Sequence, residues 1–204
     1  MKRLLKLAEK IKNKELRKKT IEFLKNPEIT NKKFKYPSSK FEDAPAGPMD
    51  FHHAYPGGLL DHTYSVVLSC ISVAENLQKV YPDIKINTDH LISAALLHDI
   101  MKIFIFRWNN GVVLQTDTLM DHGIWAAAEL YARGFPEEVI HIVASHFGPS
   151  GPNPPQTTEA IILHFVDQLD AMVDANINFM KNEKLRVLFL PEEEKNLQNE
   201  TNLN

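Results

Sequence analysis

Leu91-Ile92-Ser93-Ala94-Ala95-Leu96-Leu97-His98-Asp99-Ile100-Met101 is the stretch that decides how this chain must fold. Thr88-Asp89 ahead of it can cap a helix, and from Leu91 to Met101 almost every side chain is apolar. A helix that is apolar all round has no solvent face, so it must lie inside the molecule with other elements around it. His98 and Asp99 are then carried into the interior, where a carboxylate without a positive partner is strongly penalised. Two readings satisfy it. In one, His98 hydrogen-bonds within the core and Asp99 caps the helix or pairs with Lys102. In the other a divalent cation takes up the charge: neighbours on a helix point about 100° apart, so one can ligate an ion while the other reaches between two.

The periodicity on either side is helical. Residues 4–25 place Leu4, Leu7, Ala8, Ile11, Leu16, Ile21 and Leu24 among lysines and glutamates, which predicts one or two amphipathic helices. From Asn26 to Met49 the pattern fails, and Pro27, Pro37, Pro45 and Pro48 mark an irregular connector. Gly57-Gly58 opens a long apolar stretch that ends before Pro82. Phe104–Thr116 departs from the helical rule: β-formers flank Asn109-Asn110-Gly111, which predicts a small two-stranded hairpin around residues 104–116. Further helices are expected over Asp121–Arg133, stopped by Gly134, from Pro136 to Gly148, and from Thr157 to about Met180. The fold class is all-α, a helical bundle with one hairpin.

These helices bring other donors toward His98 and Asp99. His62 lies on the preceding helix, His122 starts the one after the hairpin, His146 ends the next, and Asp167 is midway along the last. Helices in a bundle pack at ~8–10 Å, so one side chain from each can reach a common point. Four imidazoles and two carboxylates form a mixed nitrogen and oxygen set, suited to Mn²⁺, Fe²⁺, Co²⁺, Ni²⁺ or Zn²⁺, with Mn²⁺ the first expectation, one or two ions being held. His164 could orient a ligand or be an ordinary core histidine, and Asp170 could pair within the bundle or ligate in place of Asp167. His141 reads as structural and His90 as solvent-facing. Trp108, beside Arg107, could flank the pocket and stack a base, or pack as an anchor like Trp125.

Taken together, Gly57-Gly58-Leu59-Leu60-Asp61-His62-Thr63, Ala95-Leu96-Leu97-His98-Asp99-Ile100-Met101-Lys102 and Phe165-Val166-Asp167-Gln168-Leu169-Asp170 resemble the HD-domain superfamily of metal-dependent phosphohydrolases. Asp121-His122-Gly123 and Ser145-His146-Phe147-Gly148 look like the additional motifs of two-metal members. The chain is most similar to the HD module of bacterial 3′-to-5′ exoribonucleases, without their OB-fold; that likeness spans roughly residues 45–175 and takes in His52-His53-Ala54-Tyr55. The resemblance implies an HD domain over 45–180, preceded by a basic helical arm and connector over 1–44 and followed by a polar tail over 181–204. It implies that His62, His98, Asp99 and Asp167 hold a first ion and that Asp99 bridges to a second on His122 and His146. A metal-bound hydroxide would then attack a nucleotide or nucleic-acid phosphoester. Lys102 would neutralise charge on the phosphate, and His53 would contact substrate or protonate the leaving oxygen. Met101 stands where the family motif usually has Gly, and Phe147 where relatives often have a second histidine. These departures keep open a catalytically weak metal- or nucleotide-binding regulatory module, and the basic arm, in place of an OB-fold, keeps open an RNA-processing accessory.

Composition sets the surroundings. Of the chain's 23 Lys/Arg and 26 Asp/Glu, residues 1–40 hold 14 and 4, so a basic arm precedes an acidic body. That arm could engage RNA, or it could be a solvated helix face. The expected partners are a phosphorylated small molecule or nucleotide, with RNA through the arm and oligomers both open. No run reaches the ~18–20 apolar residues of a membrane helix, the lysine-broken N-terminus lacks a secretory apolar stretch, and the single cysteine, Cys70, excludes an internal disulfide. Cytoplasm is the expected compartment.

Overall fold

A computed structural model describes residues 1–49 and 51–181. Seven α-helices and one hairpin follow in the order α1 (Lys2–Ala8), α2 (Lys14–Lys25), α3 (Gly58–Val80), α4 (Thr88–Leu97), β1 (Phe106–Asn109), β2 (Val112–Gln115), α5 (His122–Ala132), α6 (Glu137–Ala144) and α7 (Thr158–Lys181). The all-α class and the hairpin agree with the periodicity. The part of the expected tail over 182–204 lies outside the described residues.

α4 is the axle of the bundle. Every residue from Leu91 to Leu97 is buried, and α1, α2, α3, α6 and α7 all pack on it. The cap is Asn87, whose side chain accepts from the His90 amide, rather than Thr88-Asp89. Asp89 instead accepts from the amides of Lys12 and Asn13, each at 2.8 Å, and so fastens the turn between α1 and α2 to the start of α4. Thr20 and Ser93 share a buried 2.8 Å hydrogen bond between α2 and α4. Leu4, Leu7, Ile11, Leu16, Phe23 and Leu24 belong to the same hydrophobic core as Leu59, Leu96 and Leu163. The two basic helices therefore turn their lysines outward and their leucines into the common interior.

The helix also ends sooner than its apolar run suggests. Hydrogen bonding stops at Leu97, His98 is the C-cap, and Ile100–Phe104 continues as a 3₁₀ turn. His98 and Asp99 thus stand at a helix end rather than on helix faces 100° apart. The tighter winding brings residues three apart together, and the Lys102 amide donates to the Asp99 carbonyl at 2.9 Å. α6 likewise stops at Ala144, before the expected Gly148, leaving His146 in the turn that follows.

The hairpin pairs Phe106 with Gln115 and Asn109 with Val112. Its turn residues Asn110 and Gly111 both have positive φ, 48° and 92°, the requirement that makes Asn-Gly a hairpin signal. No helix among the described residues is long and apolar enough to cross a membrane.

Candidate metal centre

The connector over residues 26–57 is held close to the start of α3. The Leu59 amide donates to the Ala44 carbonyl and the Ala46 amide to the His53 carbonyl. A Cβ on Gly58 would fall 1.9 Å from the His53 carbonyl oxygen, so glycine is what lets this loop lie on the helix end. That contact sets His52 and His53 beside His62, which occupies the second turn of α3.

All six donors picked out from the sequence come together. His62, His98 and Asp167 form one group, and Asp99, His122 and His146 a second; within each, the donor atoms lie within 4.8 Å of one another. In the inner group His62 Nε2 is 3.0 Å from Asp167 Oδ1 and 3.3 Å from His98 Nε2. Asp99 reaches both groups, its Oδ2 lying 3.3 Å from His62 Nε2 and its Oδ1 3.1 Å from His122 Nε2. In the outer group the Nε2 atoms of His122 and His146 are 3.2 Å apart.

The other ring nitrogens show which atoms carry lone pairs. His98 Nδ1 lies 2.9 Å from the Ala95 carbonyl and His146 Nδ1 2.6 Å from the Val143 carbonyl. A carbonyl only accepts, so both Nδ1 atoms are donors and a neutral ring turns a bare Nε2 inward. His62 Nδ1 is fixed by Asp170 Oδ2 at 2.7 Å, the outer carboxylate that commonly orients a metal-ligating histidine. The Nε2 lone pairs of His98 and His146 and the carboxylates of Asp99 and Asp167 therefore converge around the His62 ring. Both Asp99 oxygens are buried and lack a hydrogen bond of proper direction. Lys102 Nζ stands only 2.7 Å from Asp99 Oδ2, an electrostatic contact whose approach is off the hydrogen-bonding line. Divalent cations fit this donor set: they would take the place of the His62 proton and give the Asp99 oxygens the directed partner they lack.

The titration behaviour follows. Burial opposes a charge on His62, but Asp167, Asp170 and Asp99 outweigh it and hold the imidazole well above its ordinary pKa. Burial also opposes ionisation of Asp99, and Lys102, His98 and His122 overcome it, leaving the carboxyl well below the usual range. His146, by contrast, is pushed down to about 4 by burial and by the neighbouring His122 and His98. It is a neutral imidazole near pH 7.

Above the two groups lies a cavity of about 230 Å³, bordered by Asp99, Lys102, His122, His146 and Asp167. His52 lines it, whereas His53 does not. His53 is turned behind the loop, its backbone amide donating to Asp174 at 2.6 Å and its Nε2 3.7 Å from Asp170. Burial and nearby His62 lower the pKa of His52 to about 4. Asp170 pairs within the bundle, one of its two expected roles, whereas His52 and Asp174 have no role assigned from the sequence. The signal for the carboxylates was present: Asp167, Asp170 and Asp174 lie three and four apart, on one face of α7.

The remaining histidines and tryptophans serve the scaffold. His164 Nδ1 donates to the His146 carbonyl at 2.8 Å, and a Cβ on Gly148, where φ is 77°, would strike the His164 ring. His141 accepts from the Gln156 amide. Trp125 packs edge-on against Phe34 and Tyr36, and Phe106, not Trp108, is the hairpin residue on the cavity.

Known proteins give a consistent picture. A family model described as "HD domain" matches residues 59–172. A dihydroneopterin 2′,3′-cyclic phosphate phosphodiesterase of Methanocaldococcus jannaschii is 46% identical over 176 residues, covering 85% of this chain and 70% of that protein. The 3′-5′ exoribonuclease YhaM of a Geobacillus species is 31% identical over 84% of this chain and 57% of its own length, and that of Oceanobacillus iheyensis 36% identical over 60% and 41%. The chain thus spans about half the length of these exoribonucleases. No solved structure gives a significant match.

Proposed function

The chain belongs to the HD-domain family of metal-dependent phosphohydrolases, and from that premise we propose that it hydrolyses the phosphodiester of a small nucleotide-like molecule, foremost a cyclic phosphate. His62, His98 and Asp167 would hold one divalent cation, His122 and His146 a second, and Asp99 would span both. Residues 45–180 carry all of these groups as the catalytic unit, on the packed base made by residues 1–44. The observation behind this reading is the convergence of four imidazole Nε2 atoms on a buried carboxylate whose oxygens lack a hydrogen bond. Four imidazoles favour a transition ion from the set Mn²⁺, Fe²⁺, Co²⁺, Ni²⁺ and Zn²⁺ over Mg²⁺.

Bound cations supply a water of lowered pKa and a counter-charge for the phosphate. The protein does the rest. Lys102, buried and bordering the cavity, neutralises charge that builds on the phosphoryl oxygens. His52, neutral near pH 7, offers the mouth of the cavity a ring nitrogen for substrate contact. His53 acts through the loop and Asp174 instead of by direct contact.

The cavity's size supports a small substrate. At about 230 Å³ it lies under the ~300–1,000 Å³ of sites that enclose a drug-sized ligand. It can take a phosphate and part of what bears it. A cyclic phosphate of a dihydropterin, the substrate in the name of the Methanocaldococcus relative, is of this kind. Assays with added Mn²⁺ on 2′,3′-cyclic nucleotides, neopterin cyclic phosphate, nucleoside monophosphates and short RNAs should find the cyclic diesters hydrolysed fastest. No turnover above that of the His98→Ala/Asp99→Ala variant would end the proposal.

RNA is a second reading, favoured by the exoribonuclease relatives and the exposed Lys10, Lys12, Lys14, Lys18 and Lys25. Deleting residues 1–40 would strip Leu4, Ile11 and Leu24 from the core, so charge reversal is the better probe. RNA affinity that falls with salt and is lost on changing these lysines to glutamate would support it; affinity unaltered by the reversal would dispose of it.

A further inference from the structure

Three phenylalanines border the cavity, and the hydrolytic chemistry uses none of them. Phe106 is nearly buried at 8% exposure, but Phe51 and Phe147 are 63% and 38% exposed, both on the cavity that holds Lys102 and His52. One exposed apolar side chain needs no explanation. Phenyl rings gathered around one cavity beside the donor groups do, because Phe51 and Phe147 forgo contact area that the core would have given them.

Glycines fix where these rings sit. A Cβ on Gly47 would lie 3.3 Å from Phe51 Cβ. Around Phe147, a Cβ on Gly123 would lie 3.2 Å from Cε2 and one on Gly151 3.0 Å from Cβ. The Phe147 ring is also 4.4 Å from the His146 ring and 5.0 Å from that of His122, centroid to centroid. It therefore touches the outer donor group while part of its surface remains open. Gln168, exposed and next to Asp167, lines the same cavity and offers an amide that both donates and accepts. Ala46 and Ala171 leave room beside it.

We propose that Phe51, Phe106 and Phe147 frame a planar nitrogen heterocycle on the substrate, with Gln168 hydrogen-bonding the heterocycle's edge. This rests on the phosphohydrolase reading above, since the phosphate would occupy the Lys102 and His52 side of the cavity. The rings supply stacking faces that tolerate any flat heterocycle, and the amide supplies the discrimination between them. The class of substrate is then a purine- or pterin-like phosphoester, and these four side chains determine specificity.

The test compares a 2′,3′-cyclic guanosine phosphate with glycerol 1,2-cyclic phosphate, which has the reacting group but no ring. In Phe51→Leu and Phe147→Leu, substitutions at exposed positions that keep apolar bulk, the preference for the guanosine compound in kcat/KM should drop about tenfold each, through KM rather than kcat. An unchanged preference overturns the frame. Calorimetry with neopterin and guanosine, which carry no phosphate, reads the frame without turnover. Binding by the parent protein, weakened in both variants and in Gln168→Ala, supports it; no binding by the parent, or equal binding by all, overturns it. If the parent cleaves no phosphoester yet binds these rings through Phe51 and Phe147, the hydrolytic reading fails and the frame stands.

Discussion

The inner and outer donor groups share Asp99 but are built differently. His62, His98 and Asp167 meet where α3, α7 and the end of α4 pack together, and both histidines there are fully buried. Asp170 fixes the far side of His62. The outer group draws on His122 at the first turn of α5 and His146 in the turn after α6, beside the cavity and against an exposed phenyl ring. Around His62, the carboxylates of Asp167, Asp170 and Asp99 outweigh burial and hold the imidazole well above its ordinary pKa. Around His146, burial and then the neighbouring His122 and His98 push the pKa down to about 4. One buried carboxylate thus reaches two differently built donor groups, and under the proposed two-ion reading the inner ion would be the anchored one and the outer the exchangeable one.

Asp99→Ala should strike both groups at once. On the proposed two-ion reading, metal content should fall from two ions per chain toward none, with activity reduced beyond the ~10–100-fold that follows loss of an outer partner. His122→Ala should remove only the exchangeable ion, leaving one per chain by elemental analysis; equal loss of both would erase the distinction. Asp170→Asn should weaken the inner ion alone by about 10–100-fold, since a carboxamide holds the His62 ring less firmly. Metal uptake near pH 7 should release about one proton, because the raised pKa keeps His62 protonated beforehand and a ligating imidazole must be neutral. Calorimetry in buffers of different ionisation enthalpy reads that release, and its absence would remove the electrostatic difference. The smallest effect expected is from Phe147→His, which adds a nitrogen beside the outer group and should tighten the exchangeable ion by a few-fold.

Much of this was legible along the chain. Asn110-Gly111 announced the hairpin because few residues tolerate positive φ at both turn positions. The donors could be picked out because polar residues in an apolar helical run need an internal reason. The early end of α4 was not legible, since Ile100 and Met101 continue the apolar pattern through a 3₁₀ turn as readily as through a helix. The choice between His52 and His53 was equally hidden: it depends on a loop whose path is set by Gly58 and by the Asp174 carboxylate, more than a hundred residues away.

The sequence by itself determined that helices would form, which faces they would bury, and that His98 and Asp99 would lie inside, because periodicity and burial are local properties of residue order. Only the tertiary structure decided that two donor groups share one carboxylate, that His52 faces the cavity and His53 the scaffold, and that α1 and α2 complete the core. Those outcomes depend on distances between residues far apart in the chain, and packing, not local preference, sets them.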